Sequence, residues 1–152
     1  MNILEEMSPD LTGRELLQRL IDEGEQPPIF KTLGIAIVEV GDGVAIFEGK
    51  PGPHAYNPIG TIHGGYAATL LDSACGCCVH TKLAADQAYT TLELKVAYHR
   101  AMTADTGVVR AEGRVINLGR RVGYSEAKLT DKEGRLYASA TSTLLILPRR
   151  AT

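Results

Sequence analysis

A long apolar run with a single carboxylate inside it constrains the fold of this chain more than any other feature. In NPIGTIHGGYAATLLDSACGCCVH, residues 57–80, a turn-like segment leads to two glycines and then to a helix-length stretch rich in Ala, Leu, Cys and Val. A helix that is apolar all round has to be buried all round. Because a sheet covers only one side of a helix, the pattern predicts that another surface, most simply a second copy of the chain, covers the rest.

Asp72 is the carboxylate inside this apolar run. Burying an ionised carboxylate is costly unless it is hydrogen-bonded or paired, so the residue needs an explanation. One interpretation is that Asp72 bonds to neighbouring Ser or Thr hydroxyls and fixes packing. The other is that it performs chemistry in a closed cleft.

Two glycines, Gly64 and Gly65, stand where the helix is expected to begin. Their backbone N–H groups are open to a ligand and belong to the unsatisfied donors of a helix N-terminus, which stabilise a developing oxyanion. The alternative is that the glycines only permit close packing of the helix on the sheet.

The spacing of Gly64 and Asp72 restricts how they can cooperate. Eight residues separate them, which corresponds to roughly 12 Å along a helix axis. That distance is too long for both to act on one carbonyl. If two such helices run antiparallel about a two-fold axis, Asp72 of one chain approaches Gly64 of the other, and two equivalent shared sites result.

The remaining segments predict an α+β domain in which the long helix lies across a curved sheet of five or six strands. Residues 8–24, SPDLTGRELLQRLIDEG, have the cap residues and leucine spacing of a helix, and the glycine pair around Asp42 in residues 33–50 indicates a hairpin. After Lys82 the period becomes two, in long runs joined by short turns, which predicts an antiparallel meander. We divide the chain into an N-terminal helical segment, 1–27, and a domain, 28–150.

Composition excludes several classes of protein. The 152 residues carry a formal net charge of -2 and are 44% hydrophobic, so neither a nucleic-acid partner nor a membrane partner is expected, since the excess of Lys and Arg that anionic partners require is lacking. Three cysteines within four residues, Cys75, Cys77 and Cys78, cannot join distant segments. An acidic N-terminus without a long apolar run lacks the features of an export signal, and a reducing, cytoplasmic location is expected.

With these features in place, the chain resembles the PaaI-type hotdog-fold acyl-CoA thioesterases. The similarity rests on NPIGTIHGGYAATLLDSA and extends over about residues 28–147, including GRRVGYSEAKLTDKEGRLYASATST. It implies a hotdog fold, in which one long central helix is wrapped by the sheet, and a homodimer with a continuous sheet, often paired again as a homotetramer. The expected activity is hydrolysis of an aromatic or medium-chain acyl-CoA, without a metal and with no cofactor besides the coenzyme A of substrate and product.

The resemblance also implies roles for individual residues. Asn57 and the N–H of Gly64 hold the thioester carbonyl, while Asp72 of the partner subunit activates water or attacks directly. A hydroxyl from the next strand assists the acid; Thr90 is the first choice and Thr91 the alternative.

Further residues are candidates for substrate binding. His63 acts as a general acid or shapes the loop before the helix, and Gly65 offers a second backbone donor. Thr91 stands beside the predicted acid on the next strand. Arg120 and Arg121, at a turn between two strands, bind the phosphates of coenzyme A or are simply solvated.

Other readings of the same residues remain as alternatives. The cysteine cluster with His80 does not predict a metal site, because successive helix positions point about 100° apart and no C-x-x-C spacing is present. A hotdog hydratase or dehydratase would use a His-bearing loop pattern that is not found here. A non-catalytic acyl-CoA-binding protein would not need Asp72.

Overall fold

The computed structural model describes residues 10–149, which form three α-helices and one antiparallel sheet of six strands. The helices are α1 (Gly13–Glu23), α2 (Pro28–Leu33) and α3 (Gly64–His80). The strands are β1 (Ile35–Gly41), β2 (Val44–Gly49), β3 (Gln87–Tyr98), β4 (Val109–Leu118), β5 (Val122–Asp131) and β6 (Leu136–Pro148). Residues 1–9, on which the expectation about an export signal rests, and residue 150, the predicted domain end, lie outside the described residues.

The sheet curves around α3, which contacts all six strands. The strand order is β1-β2-β4-β5-β6-β3, and every pairing is antiparallel. This arrangement confirms the predicted α+β class, the hotdog architecture and the position of the long helix. None of the helices within residues 10–149 has the length and hydropathy that crossing a bilayer requires.

The predicted meander is wrong for β3. Strands β4, β5 and β6 do follow one another as hairpins, but β3 pairs with β6 and forms an edge of the sheet. The ten residues between β3 and β4 include a short 3-10 helix, Ala104–Thr106, and are too long for a tight hairpin turn. The chain therefore crosses to the far side of the sheet, where β4 pairs with β2.

Two glycines show how the sequence fits this geometry. Gly43 has a φ of 71° in the tight turn between β1 and β2, a conformation that residues with a Cβ rarely adopt. Gly113 on β4 faces the backbone of Ala74, and a Cβ there would collide with it. The absence of that side chain lets α3 lie directly on the sheet.

α1 packs into the same core as the sheet. Leu17 and Leu20 are 3% and 4% exposed and belong to the central hydrophobic cluster. Thr12 and Glu15 form a capping box at the start of the helix, and the Gly13 N–H donates to the Leu83 carbonyl at 3.0 Å. The sequence did not predict α2, which begins at Pro28 because proline suits the first position of a helix.

α3 is not apolar all round, which corrects the expectation from sequence. The side of the helix that is half-buried or exposed carries three polar residues, Thr69, Asp72 and Ser73. The hydroxyl of Thr69 donates to the Gly65 carbonyl at 2.8 Å, and that of Ser73 donates to the Thr69 carbonyl at 2.7 Å. Because both hydroxyls donate to carbonyl groups of the helix backbone, this side of the helix is less polar than its composition indicates.

Candidate active site

Two cavities lie along α3, one at its start and one beside its second half. The Gly64 cavity, of about 530 Å³, includes His63, Gly64 and Tyr98 in its lining. The Asp72 cavity, of about 230 Å³, runs along the helix from Asp72 to His80. The two candidate halves of the site therefore lie in separate cavities of one chain.

Asp72 is half-buried, and its carboxylate is held by the neighbouring strand. The hydroxyl of Thr91 donates to Asp72 Oδ1 at 3.2 Å. Among residues 10–149 this is the one hydrogen bond of the Asp72 side chain, so Oδ2 is left available. The structure thus places a carboxylate with one oxygen oriented by a hydroxyl and the other open to a ligand.

Thr91 rather than Thr90 occupies the position next to the acid, contrary to the first choice from sequence. In a regular strand, side chains alternate between the two faces of the sheet. Counting back in steps of two from Leu94 and Val96 would therefore place Thr90 on the face toward the helix. However, Thr91 pairs with Leu144 and Glu93 with Thr143, so Leu92 is an extra residue in a β-bulge. A bulge reverses the alternation beyond it, and the exposed Thr90 therefore faces away from the helix.

His63 caps the start of α3. Its Nδ1 accepts the Gly65 N–H at 2.8 Å, which requires the neutral ring to carry its proton on Nε2. This bond occupies the Gly65 donor that the sequence suggested for substrate. The structure thus supports the loop-shaping interpretation of His63.

Gly64 presents a free donor at the first position of α3. Within residues 10–149 its N–H has no acceptor, whereas its carbonyl receives the Tyr98 hydroxyl at 2.8 Å. Its lack of a side chain matters, because a Cβ would lie 2.9 Å from that hydroxyl. Sequence reasoning did not assign Tyr98 a role, although the alternation along β3 already placed it on the helix side.

Asn57 organises the loop before α3 and does not line the Gly64 cavity. Its Oδ1 accepts the N–H groups of Ile59 and Thr61, each at 3.1 Å, and its Nδ2 donates to the Thr61 hydroxyl at 2.9 Å. An amide nitrogen has two protons, so one donor of Nδ2 is left for a ligand. The structure shows the loop role of Asn57 directly, and its role toward a carbonyl stays a prediction.

The predicted phosphate-binding arginines stand apart from both cavities. Arg120 and Arg121 are exposed in the turn between β4 and β5 and line neither the Gly64 nor the Asp72 cavity. By contrast, Arg100 lines the Gly64 cavity, where its guanidinium carbon lies 6.0 Å from the ring centre of Tyr137. The structure therefore offers a second cation closer to the start of α3 than the two turn arginines.

Cys75, Cys78 and His80 are buried residues of α3, and Cys77 is half-buried against the core. Burial raises the pKa of the Cys75 thiol to about 11 and that of the Cys77 thiol to about 12, so both stay protonated and poorly nucleophilic at neutral pH. Burial, and secondarily the charge of Arg149, lower the pKa of His80 to about 4. Within residues 10–149, no three His, Cys, Asp or Glu side chains are grouped to hold a metal ion; metal-free chemistry stays a prediction.

The arrangement suits acyl transfer to water. Asp72 offers a carboxylate oxygen as base or nucleophile, and Gly64 offers an unpaired N–H at the positive end of a helix. The two stand eight residues apart on one helix, so neither cavity contains both. The two groups thus line separate cavities of one chain.

Comparison with known proteins identifies relatives of the chain. The sequence model of the family described as thioesterase superfamily matches residues 59–138. The 1,4-dihydroxy-2-naphthoyl-CoA hydrolase of Listeria monocytogenes is 28% identical over 120 residues, which cover 79% of this chain and 96% of that protein.

Two solved structures share the fold of this chain. A conserved protein from Pseudomonas aeruginosa superposes with a TM-score of 0.75 at 33% identity, covering 82% of this chain and 98% of that one. A mutant of the phenylacetic acid degradation protein PaaI from Thermus thermophilus superposes with a TM-score of 0.71 at 27% identity, covering 78% of this chain and 98% of that one.

Proposed function

Since the chain belongs to the thioesterase superfamily and is an acyl-CoA thioesterase, we propose that it hydrolyses aromatic or medium-chain acyl-CoA in sites shared by two subunits. Asp72 of one subunit is the base or nucleophile. The Gly64 N–H of the other subunit, with Asn57, holds the thioester carbonyl. The observation that carries this proposal is the unpaired Gly64 N–H on the same helix as a carboxylate that it cannot reach within one chain.

Contacts between α3 and β3 support the two-fold arrangement. Gly64 is bonded to Tyr98 and Asp72 to Thr91, so the strand runs antiparallel to the helix. Residue 68 lies midway between Gly64 and Asp72 on the helix. The point midway between Thr91 and Tyr98 on the strand falls between residues 94 and 95. A single two-fold axis passing beside both midpoints would set Gly64 of one subunit opposite Asp72 of the other, and Tyr98 opposite Thr91.

The surfaces on this axis are suited to self-association. Strand β3 is an edge of the sheet with one unpaired side, which can pair with its own copy to extend the sheet. Ala68, on the half-buried face of α3, leaves room for the helix of a second copy to approach. We propose the homodimer on these grounds, and a pair of dimers by resemblance to the family.

In the proposed reaction, a water molecule loses a proton to Asp72 and attacks the thioester carbon. The carbonyl oxygen becomes an oxyanion bonded by the Gly64 N–H and Asn57. The carbon–sulfur bond then breaks, coenzyme A leaves as a thiolate that takes up a proton, and the carboxylic acid is released. Direct attack by Asp72 would give a mixed anhydride, which water then hydrolyses to the same products. In either route Thr91 orients the carboxylate.

The size of the Asp72 cavity supports an acyl group of moderate size. Its volume is about 230 Å³, whereas an engineered apolar cavity of about 150 Å³ binds benzene. The named substrate of the Listeria relative, 1,4-dihydroxy-2-naphthoyl-CoA, is aromatic, and the Thermus structure is of a phenylacetic acid degradation protein. An aromatic acyl group or a medium-length chain therefore fits best.

The remaining parts of the proposal concern coenzyme A and location. Arg100 beside the Gly64 cavity, and Arg120 and Arg121 at the turn, supply cations for its phosphates. No other cofactor is needed for this hydrolysis. The three cysteines are free thiols, consistent with a reducing cytoplasm.

Release of free thiol from a panel of acyl-CoA substrates tests the substrate class. We expect benzoyl-, phenylacetyl-, hexanoyl- and octanoyl-CoA to have the highest kcat/KM, and palmitoyl-CoA and acetyl-CoA the lowest. A maximum at palmitoyl-CoA would contradict the proposed substrate class while leaving the thioesterase activity intact.

A further inference from the structure

The wall of the Asp72 cavity that faces α3 comes from a part of the chain outside the family match. That match begins at residue 59, whereas Leu17 and Leu20 of α1 and Phe30 of α2 line the same cavity as Asp72. The N-terminal helices therefore contribute apolar surface directly to the space beside the carboxylate.

The cavity has the shape of a pocket for an acyl group whose carbonyl lies at Asp72. Asp72 and Thr91 lie at one end and His80 at the other. Eight helical residues separate Asp72 from His80, so the space extends roughly 12 Å along the helix. Tyr89 also lines the cavity, and its ring packs against His80 with a centroid distance of 5.3 Å.

The two helices that form the wall, α1 and α2, differ in how firmly they are packed against the core. α1 is fixed by buried leucines, and a Cβ on its Gly13 would collide with His80. α2 has six residues, no buried residue and no side-chain cap at its start. Its Phe30 is half-buried and touches Phe47 edge-on, with ring centroids 5.4 Å apart. Phe30 is thus less enclosed by the core than Leu17 and Leu20 are.

We propose that α1 and α2 form the wall that limits acyl length, with Phe30 as the specificity-determining residue. This inference rests on the proposed function, because it assumes that the acyl group enters the Asp72 cavity. A smaller side chain at position 30 extends the space beside the acyl chain, and a larger one shortens it. One methylene in a hydrophobic pocket changes kcat/KM by about tenfold or more.

The test compares hexanoyl-CoA and decanoyl-CoA in wild-type protein and in two variants of opposite size. We expect Phe30→Ala to raise the ratio of kcat/KM for decanoyl-CoA to that for hexanoyl-CoA at least about tenfold. Phe30→Trp should lower the same ratio. Ile29→Ala is the matched control, because Ile29 is the neighbouring apolar residue of α2, is 52% exposed and lines neither cavity.

The outcomes separate this inference from the proposed function. Unchanged ratios in both Phe30 variants, with wild-type circular dichroism and wild-type hydrolysis of hexanoyl-CoA, overturn the inference alone. An equal shift in Ile29→Ala also overturns it, because that side chain does not touch the cavity. Failure of the wild-type protein to hydrolyse any acyl-CoA overturns the proposed function and the inference with it. Because Phe30→Trp keeps an aromatic ring at this position, it decides the question if Phe30→Ala fails to fold.

Discussion

Thr91 and Asp72 form a hydrogen-bonded pair between β3 and α3, with 3.2 Å between the threonine hydroxyl and the carboxylate. A neutral hydroxyl orients the carboxylate without cancelling its charge. A cationic partner would neutralise the base, and an apolar neighbour would leave it unoriented. The pairing is therefore suited to a carboxylate that has to react.

Replacing Asp72 tests its role in the chemistry. We expect Asp72→Asn and Asp72→Ala to lower kcat at least about a hundredfold, because each removes the base or nucleophile. Free-thiol release gives the rate, and size-exclusion chromatography shows whether assembly is preserved. Turnover like that of the wild type in either folded variant would reject the assignment.

The neighbouring threonines provide a matched pair of substitutions. Thr91→Val should lower kcat about tenfold, since it removes the hydrogen bond that orients Asp72. Thr90→Val should leave kcat within about twofold, since Thr90 is exposed and faces away from the helix. Both changes preserve β-branched shape and suit a strand. A larger effect at Thr90 than at Thr91 would show that the bulge does not determine which hydroxyl assists.

Mixed dimers test whether the site is shared between subunits. Asp72→Asn and Gly64→Pro should each be inactive alone, while their mixture after subunit exchange should recover about a quarter of wild-type activity. Half of the dimers are mixed, and each mixed dimer has one intact site of two. Verified heterodimers that stay inactive would place the whole site within one chain.

The backbone at Gly64 accepts proline, but the proline Cβ would lie 2.9 Å from the Tyr98 hydroxyl, which therefore has to shift. Gly64 is the first residue of α3, a position where proline is favoured and where no helical hydrogen bond is lost. The preceding His63 has an extended backbone, with φ -61° and ψ 137°, as a residue before proline requires. Circular dichroism of the Gly64→Pro variant is the control for folding.

His80 predicts a pH dependence of stability. Its folded pKa is about 4, below the ordinary value of about 6.5, so the unfolded chain binds more protons between these values. Stability should therefore fall as pH decreases from about 6.5 to about 4, by up to roughly 3 kcal/mol. Urea denaturation at several pH values, at one protein concentration, measures the free energy of unfolding.

A variant at His80 isolates that contribution. His80→Phe should flatten the dependence between pH 6.5 and 4.5, because it removes the titrating group. Below this window, Asp131 contributes: burial raises its pKa, but hydrogen bonds from Arg135 and Tyr137 prevail and lower it to about 2. Stability from Asp131 is thus lost only in stronger acid. An equally steep decline in His80→Phe between pH 6.5 and 4.5 would assign the effect to other groups.

Local patterns in the sequence predicted the long helix α3 and the hairpin of β1 and β2. The apolar run gave α3 from Gly64 to His80, and the glycines around Asp42 gave the hairpin of β1 and β2. Strand order was not predictable in this way, because β3 pairs with the last strand of the sheet through contacts distant in sequence. The half-buried polar side of α3 was not predicted either, because the hydroxyls of Thr69 and Ser73 stand among many apolar residues in the sequence.

The candidate site residues follow from the sequence one by one, whereas the shape of the cavity beside Asp72 does not. Asp72 and Gly64 follow from burial cost and helix-end chemistry, which are properties of single positions. The Asp72 cavity depends on how α1 and α2 dock, and no periodicity in the sequence expresses that docking. Capture of the Gly65 donor by His63 depends on a ring orientation, which the residue type alone does not fix.

The bulge at Leu92 has a consequence for how this strand tolerates insertions and deletions. Deletion of Leu92 would remove the bulge and leave the pairing on both sides of it unchanged, because Thr91 already pairs with Leu144 and Glu93 with Thr143. The hydroxyl of Thr91 would therefore still meet the carboxylate of Asp72. The bulge thus makes the strand robust to the loss of one residue at this point, a kind of mutation that elsewhere in a sheet reverses every contact.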